Sequence, residues 1–252
     1  MQNAKITSAL CTFNETTIWV RDKDLCDELI GKVGFSEFLY FLILAEWPST
    51  AQSTILDACL VAIAEHGFSP GAVATRLTYM GAPESMQGAI AAGLLGVGDV
   101  FVGTVELVAP LLQEIVAAGD RGAETARAIV ERYKSSRTPL PGFGQPHHKP
   151  DDPRPAAIFR AADRVNHAGP HIAALKLLSR TVDEIFMRHI TINAPGAMAA
   201  AFLDIGIPVR IMRGFNLIAR CAGLVAHIAE DQTQPAGRAL WDGAAKAVGA
   251  GH

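Results

Sequence analysis

The sequence predicts a mainly α-helical fold, and three observations carry that prediction. Hydrophobic residues fill 50% of the 252 positions and charged residues 19%, enough apolar side chain to bury a sizeable core. After Ile30 the chain is punctuated by helix starts and stops, not by alternating strand patterns. It contains no βαβ alternation, Walker loop, GxGxxG or fixed-period repeat. The length suits one large domain, with or without a small appendage.

The first elements are the exception. Ile6–Thr12 and Thr16–Arg21 are β-prone stretches separated by Asn14-Glu15, which predicts a short N-terminal β-hairpin. Asp22 is placed to cap a short helix through Leu29, stopped by Gly31. Ser36-Glu37 opens an apolar helix, Phe38–Glu46, which Pro48 prevents from continuing. Ser49 caps the next helix. Its Ile55, Cys59, Leu60 and Ile63 fall on one buried face, and Gly67 ends it. Ser69-Pro70 supplies an N-cap followed by proline at the first helical position, and that helix runs to Gly81. Pro83-Glu84 starts a helix to about Gly98, whose small residues allow close helix approach. Thr104–Ala118 and Ala123–Lys134 follow. Arg137–Pro155, RTPLPGFGQPHHKPDDPRP, is too rich in proline for regular structure and reads as a functional loop or a surface connection. Helical pattern resumes at Ala156 and continues in Ile172–Met187, Gly196–Ile205, Val209–Glu230 and Arg238–Val248.

Composition excludes several classes of function. A formal net charge of −3 leaves no electrostatic footprint for nucleic acid. No stretch reaches the roughly 18 uninterrupted apolar residues of a membrane span, and the N-terminus lacks a signal-peptide pattern. Cys11, Cys26, Cys59 and Cys221 are scattered without zinc or disulfide spacing, so no metal site is expected and a reducing cytoplasm is the expected compartment.

Three places carry chemistry against this helical background. His66 follows Glu65 at a helix C-terminus, a position that the helix dipole alone favours. In the 142–154 loop, Gly142 and Gly144 let backbone approach a ligand, and Arg154 presents a fork for a carboxylate. Arg213 and Arg220 lie about two turns apart on an otherwise apolar helix, so both point the same way. A buried arginine needs an anion, either a ligand or an internal carboxylate such as Asp204, Asp99 or Glu106. Together these residues suggest a pocket for an anion with several carboxylates.

The residues that carry these features also carry a resemblance. Ile18–Leu25 (IWVRDKDL) is similar to "Y-R-G-x-D-L", Ala64–Gly67 (AEHG) to "A-D-H-G", and Gly93–Gly103 (GLLGVGDVFVG) to "G-L-L-x-I-G-D-R-F-G-G". Gly142–Arg154 resembles "G-[FIY]-G-H…DPR", Ile192–Pro208 "N-V-D-G-x-I-A-A…D-x-G-I-P", and Ala219–His227 "A-R-x-x-G-x-x-A-H". In this order they resemble the citrate synthase superfamily, most closely its citryl-CoA lyase branch, which includes the lyase module of ATP-citrate lyase. Phe101, in GDVFVG, is on the lyase side of that division.

The resemblance implies a citrate-synthase-like helical fold over residues 1–252, with a small subdomain of about residues 105–190 set between segments of a large one. It implies a homodimer or higher even oligomer, and no cofactor beyond coenzyme A as substrate carrier. The implied reaction is retro-Claisen cleavage of a 3-hydroxy-3-carboxyacyl-CoA, such as citryl-CoA, to acetyl-CoA and a 2-oxo acid such as oxaloacetate. His66 then accepts the hydroxyl proton and Gln145 holds the oxygen that becomes the ketone. Arg154, Arg220, Arg213 and Asn193 bind the carboxylates, and Gly142, Phe143, Gly144 and His148 lie along the CoA. Two positions depart from the family pattern. Gln145 stands where the family has histidine, with His147 and His148 close by, and Pro195 stands where it has the catalytic aspartate. Glutamine donates a hydrogen bond but no proton, and proline does neither. The alternatives are therefore a catalytically altered homologue that binds CoA esters or di- and tricarboxylates, and a helical interaction subunit without a ligand.

Overall fold

A computed structural model describes residues 8–249. At the N-terminal end, β1 (Cys11–Phe13), β2 (Ile18–Val20) and β3 (Lys23–Asp24) form a small antiparallel sheet in the order β1-β2-β3. The expected hairpin is its first two strands; Ile6 and Thr7 lie outside the described residues. The third strand was not anticipated. It moves the cap from Asp22 to Asp24, whose carboxylate accepts the N–H groups of Cys26 and Asp27 above a π-helical turn, Leu25–Leu29.

Eleven α-helices follow among the described residues. α1 (Phe35–Leu44) begins at Gly34, whose N–H donates to the Glu37 carboxylate, and ends at Ala45 in the left-handed region. α2 (Thr50–Ala64) carries the expected Ser49 cap, and α3 (Pro70–Gly81) the Ser69 cap with proline in its first turn. α4 (Met86–Leu95) is shorter than its composition suggested. The chain leaves the helix at Gly96 and folds back in a turn, where the Gly103 N–H donates to the Gly98 carbonyl. α3 and α4 pack closely because a Cβ on Gly71 would stand 2.8 Å from the Gly93 carbonyl oxygen.

α5 (Val105–Ala117), α6 (Gly122–Ser136) and α8 (Pro170–Phe186) pack on one another. α5 runs through Pro110, at the cost of one helix hydrogen bond. α7 (Pro153–Arg164) emerges from the proline-rich loop. α9 (Ala194–Asp204) is buried along nearly its whole length and packs against α2, α5, α7 and α8. α10 (Met212–Asp231) crosses α2, α3 and α4, and α11 (Gly237–Ala247) closes on α3. Phe202 of α9 and Phe215 of α10, both fully buried with ring centroids 5.7 Å apart, tie these helices together. Burial of each contributes roughly 1.5–3 kcal/mol. Among the described residues no helix is long and apolar enough to cross a membrane.

Candidate functional site

The end of α2, the start of α3, the turn after α4, the 142–154 loop, the start of α9 and the middle of α10 surround one cavity of about 550 Å³. That is a size suited to a small-molecule ligand. His66, Arg154 and Arg220, separated widely in sequence, all line it, together with Gln145 and Asn193. No Asp or Glu is in this lining, among the described residues.

Local rules place each group. His66 follows the α2 C-cap Glu65, whose carboxylate accepts the backbone N–H groups of His66 and Gly67. That carboxylate also accepts from His227 Nε2 at 3.1 Å, and Arg76 Nε donates to His227 Nδ1 at 2.9 Å. Arg76 is 1% exposed and pairs with Asp231 at 2.6 Å and with Glu230. This buried chain braces the turn that presents His66. Sequence reasoning missed Arg76 and gave His227 no role, although Ala72, Thr75 and Arg76 share the buried face of α3.

Arg154 sits in the first turn of α7 and bonds side-on to the N-cap Asp152, with Nε to Oδ1 at 2.9 Å and Nη2 to Oδ2 at 2.7 Å. Burial works to raise the Asp152 carboxyl, but the hydrogen bonds and charge of Arg154 outweigh it and hold the carboxyl below its usual value. Asp152 was not among the expected site residues, though an Asp-Pro-Arg sequence is a helix N-cap signal.

Arg220 differs. It is 4% exposed, and its Nε and Nη1 have no hydrogen-bond partner. Burial, then the positive charge of Arg154, depress its affinity for its proton, and Glu65 opposes them. His66 is also pushed toward the neutral form, first by burial, then by Arg154, His148 and Arg220, against Asp152.

Other expected residues are placed differently. Arg213, expected to bind substrate, does not line the cavity. It pairs with Asp99, and its Nε lies 3.1 Å from Glu106, so it is the internal ion pair that its sequence also allowed. Gly142 and Phe143 lie behind the wall. Gly142, at φ +88°, packs so tightly on Gly196 that a Cβ on the latter would meet the Gly142 carbonyl oxygen at 2.6 Å. Phe143 bridges to Ile192, and only Gly144 of the three reaches the cavity. Asn193 caps α9 by accepting the Gly196 N–H, and its Nδ2 donates to the Gly144 carbonyl. Gln145 accepts from the His147 N–H through Oε1, which leaves its amide N–H groups to donate. His148 does not line the cavity; its Nε2 stands 2.9 Å from His66 Nε2. Pro195 lines the cavity where a carboxylate would be needed. Glu65 and Asp99, the nearby acids, are engaged as described. Among the described residues no group of three or more His, Cys, Asp or Glu side chains is placed to hold a metal ion.

Comparison with known proteins places the fold. The chain superposes on citryl-CoA lyase from Hydrogenobacter thermophilus with a TM-score of 0.79 at 26% identity, covering 90% of this chain and 87% of that one. It also superposes on ATP citrate lyase from Methanothrix soehngenii, in complex with citrate and coenzyme A, with a TM-score of 0.79 at 18% identity, covering 93% of this chain and 40% of that one. In sequence it is 24% identical to the citrate synthase of Acidithiobacillus ferridurans over 200 residues, 76% of this chain and 50% of that protein. The chain thus spans about half the length of the curated relatives it matches. Residues 34–240 match the model of the citrate synthase C-terminal domain, and the chain belongs to that family.

Proposed function

We propose that the protein is a citryl-CoA lyase-like enzyme that cleaves a 3-hydroxy-3-carboxyacyl-CoA to acetyl-CoA and a 2-oxo acid. The observation that carries this reading is Arg220, a buried guanidinium in the cavity wall with two nitrogens unpartnered. An unsatisfied buried donor costs about 1–3 kcal/mol. A carboxylate of the ligand relieves that cost and forms a charge-assisted pair. Arg154, oriented by Asp152, offers a second positive group on the same wall. His66, pushed toward the neutral form by burial, Arg154, His148 and Arg220, accepts the hydroxyl proton. The Gln145 amide donates to the oxygen as it becomes a ketone. The electron pair of the broken carbon–carbon bond forms the acetyl-CoA enolate, and the proton held at His66 returns to its carbon. The working species is proposed to be a homodimer or higher even oligomer, testable by sedimentation.

The second reading is a homologue that binds CoA esters or di- and tricarboxylates without turning them over. Pro195 and the acid-free lining favour it. One experiment separates the two. Incubation with citryl-CoA yields oxaloacetate and acetyl-CoA under the first reading, and His66→Ala abolishes the yield. No turnover, with thermal stabilisation by citrate or coenzyme A, establishes the second. No response to any of the three ligands refutes both.

A further inference from the structure

His66 Nε2 and His148 Nε2 are 2.9 Å apart, with ring planes at 71° and ring centroids 5.2 Å apart. Two ring nitrogens at that distance share one proton, an N–H on one ring and a lone pair on the other. The contact uses Nε2 of both rings and leaves Nδ1 of His66, a cavity-lining residue, without a hydrogen-bond partner among the described residues. We propose that His66 and His148 form one proton-carrying unit, with His148 the positioning residue that takes the Nε2 proton of His66 when His66 Nδ1 receives the substrate's hydroxyl proton.

This rests on the lyase reading above and supplies its missing acid. The balance closes without a further reactant. The substrate O–H bond breaks and a His66 Nδ1–H bond forms, while the His66 Nε2 proton passes to His148. The carbon–carbon bond breaks and its electron pair stays on the acetyl carbon as the enolate. The relay then reverses: His148 returns its proton to His66 Nε2, and His66 Nδ1–H protonates the enolate carbon. Both rings end neutral.

Electrostatics explain why a second ring helps. Arg154 at the head of α7 and Arg220 on α10 both oppose positive charge on His66, as does His148 itself, while Asp152 favours it. Glu65, on the turn after α2, is engaged by backbone N–H groups and His227, and the His147 ring lies 6.3 Å from that of His66. Passing the proton to His148 moves the charge off the ring that the two guanidiniums face, onto one that acts favourably on Asp152.

The test uses the whole chain with 15N-labelled histidine, with no ligand present. In the wild type, where the proton is shared across the contact, the His66 ring nitrogens should titrate in two steps. In His148→Gln, which keeps a hydrogen-bond partner but no proton carrier, His66 should titrate in a single step with a shifted midpoint. Superimposable His66 curves in the two proteins overturn the proposal. In citryl-CoA cleavage, His148→Gln and His148→Ala should both lower kcat by about 10²-fold or more and move the pH profile, with KM nearly unchanged. Full activity in His148→Gln means that a hydrogen bond suffices, and overturns the relay. Two-step His66 titration that collapses in His148→Gln, without wild-type turnover, refutes the lyase reading while leaving the shared proton established.

Discussion

Replacing Arg220 with methionine should stabilise the empty protein and blind it to its ligand. Arg220 is 4% exposed and its Nε and Nη1 are unpartnered, so the ligand-free fold carries a buried guanidinium with unsatisfied donors. Unsatisfied buried donors cost about 1–3 kcal/mol, and methionine keeps the unbranched shape while removing them. Glu65, the carboxylate that acts on Arg220, retains His227 and the His66 and Gly67 N–H groups as partners. The expected gain is therefore about 1–3 kcal/mol, and a protein of this size shifts its melting temperature by about 2–4 °C per kcal/mol. Citrate at a hundredfold excess over its Kd should stabilise the wild type by about 2.7 kcal/mol and the variant not at all. Calorimetry of both proteins, with and without citrate, decides the matter. If empty Arg220→Met melts below the wild type, Arg220 has an internal partner. If the variant keeps the citrate shift, the anion binds elsewhere. Either result refutes the reasoning.

Pro195→Asp returns a carboxylate to the cavity wall, in the first turn of α9 where the helix dipole favours it, and should raise citryl-CoA turnover by about 10²–10⁴-fold in steady-state assays. Gly196→Ala drives a Cβ into the Gly142 carbonyl at 2.6 Å, backbone against backbone, so citrate stabilisation should disappear, as thermal shift would show. Arg76→Met leaves Asp231 buried without its cation and should cost about 3–5 kcal/mol in urea unfolding. His189 links Asp151 of the 142–154 loop to Asp183 of α8, and these hydrogen bonds raise its imidazole above 6.5. Its contribution is full below the unfolded value and fades as pH rises through the higher folded one. The melting difference between wild type and His189→Gln should shrink accordingly on the alkaline side, and a difference that grows with pH contradicts the assignment.

Much of the fold is legible in the sequence because its signals are local. Ser49 and Ser69-Pro70 satisfy N–H groups within their own first turns, and the helices start where those residues stand. The end of α4 was misjudged because its alanines and glycines carry little propensity beyond Leu95; the turn there is fixed by hydrogen bonds among residues 98–103. The site is legible only in part, for the same reason. Spacing puts Arg213 and Arg220 on one side of α10, but only tertiary packing brings Asp99 and Glu106 into ion-pair distance of the first and, among the described residues, no carboxylate that close to the second. His148 reads as one polar residue in a proline-rich loop, and its contact spans 82 positions of sequence.

The arginines show how one side chain serves different ends. Arg76 is matched by Asp231 and Glu230, Arg213 by Asp99 and Glu106, and Arg154 by Asp152, so each guanidinium has its counter-charge within the fold. Arg220 alone of these four has none at ion-pair distance among the described residues, although it is nearly as buried as Arg76. Folding alone gives no reason to retain such a group, because an apolar side chain of similar volume would pack there without the desolvation cost. A ligand carboxylate does give one. Its charge completes the pairing that the chain leaves open, in a cavity whose lining offers no acid to compete for it. The same lining offers imidazoles in place of carboxylates, and His66, backed by His148 behind the wall, is under the proposed reading the one that carries a proton between substrate atoms. Under the proposed reading, anion recognition and proton handling rest on the same feature, a cavity lined by arginine and histidine with no carboxylate among its described residues.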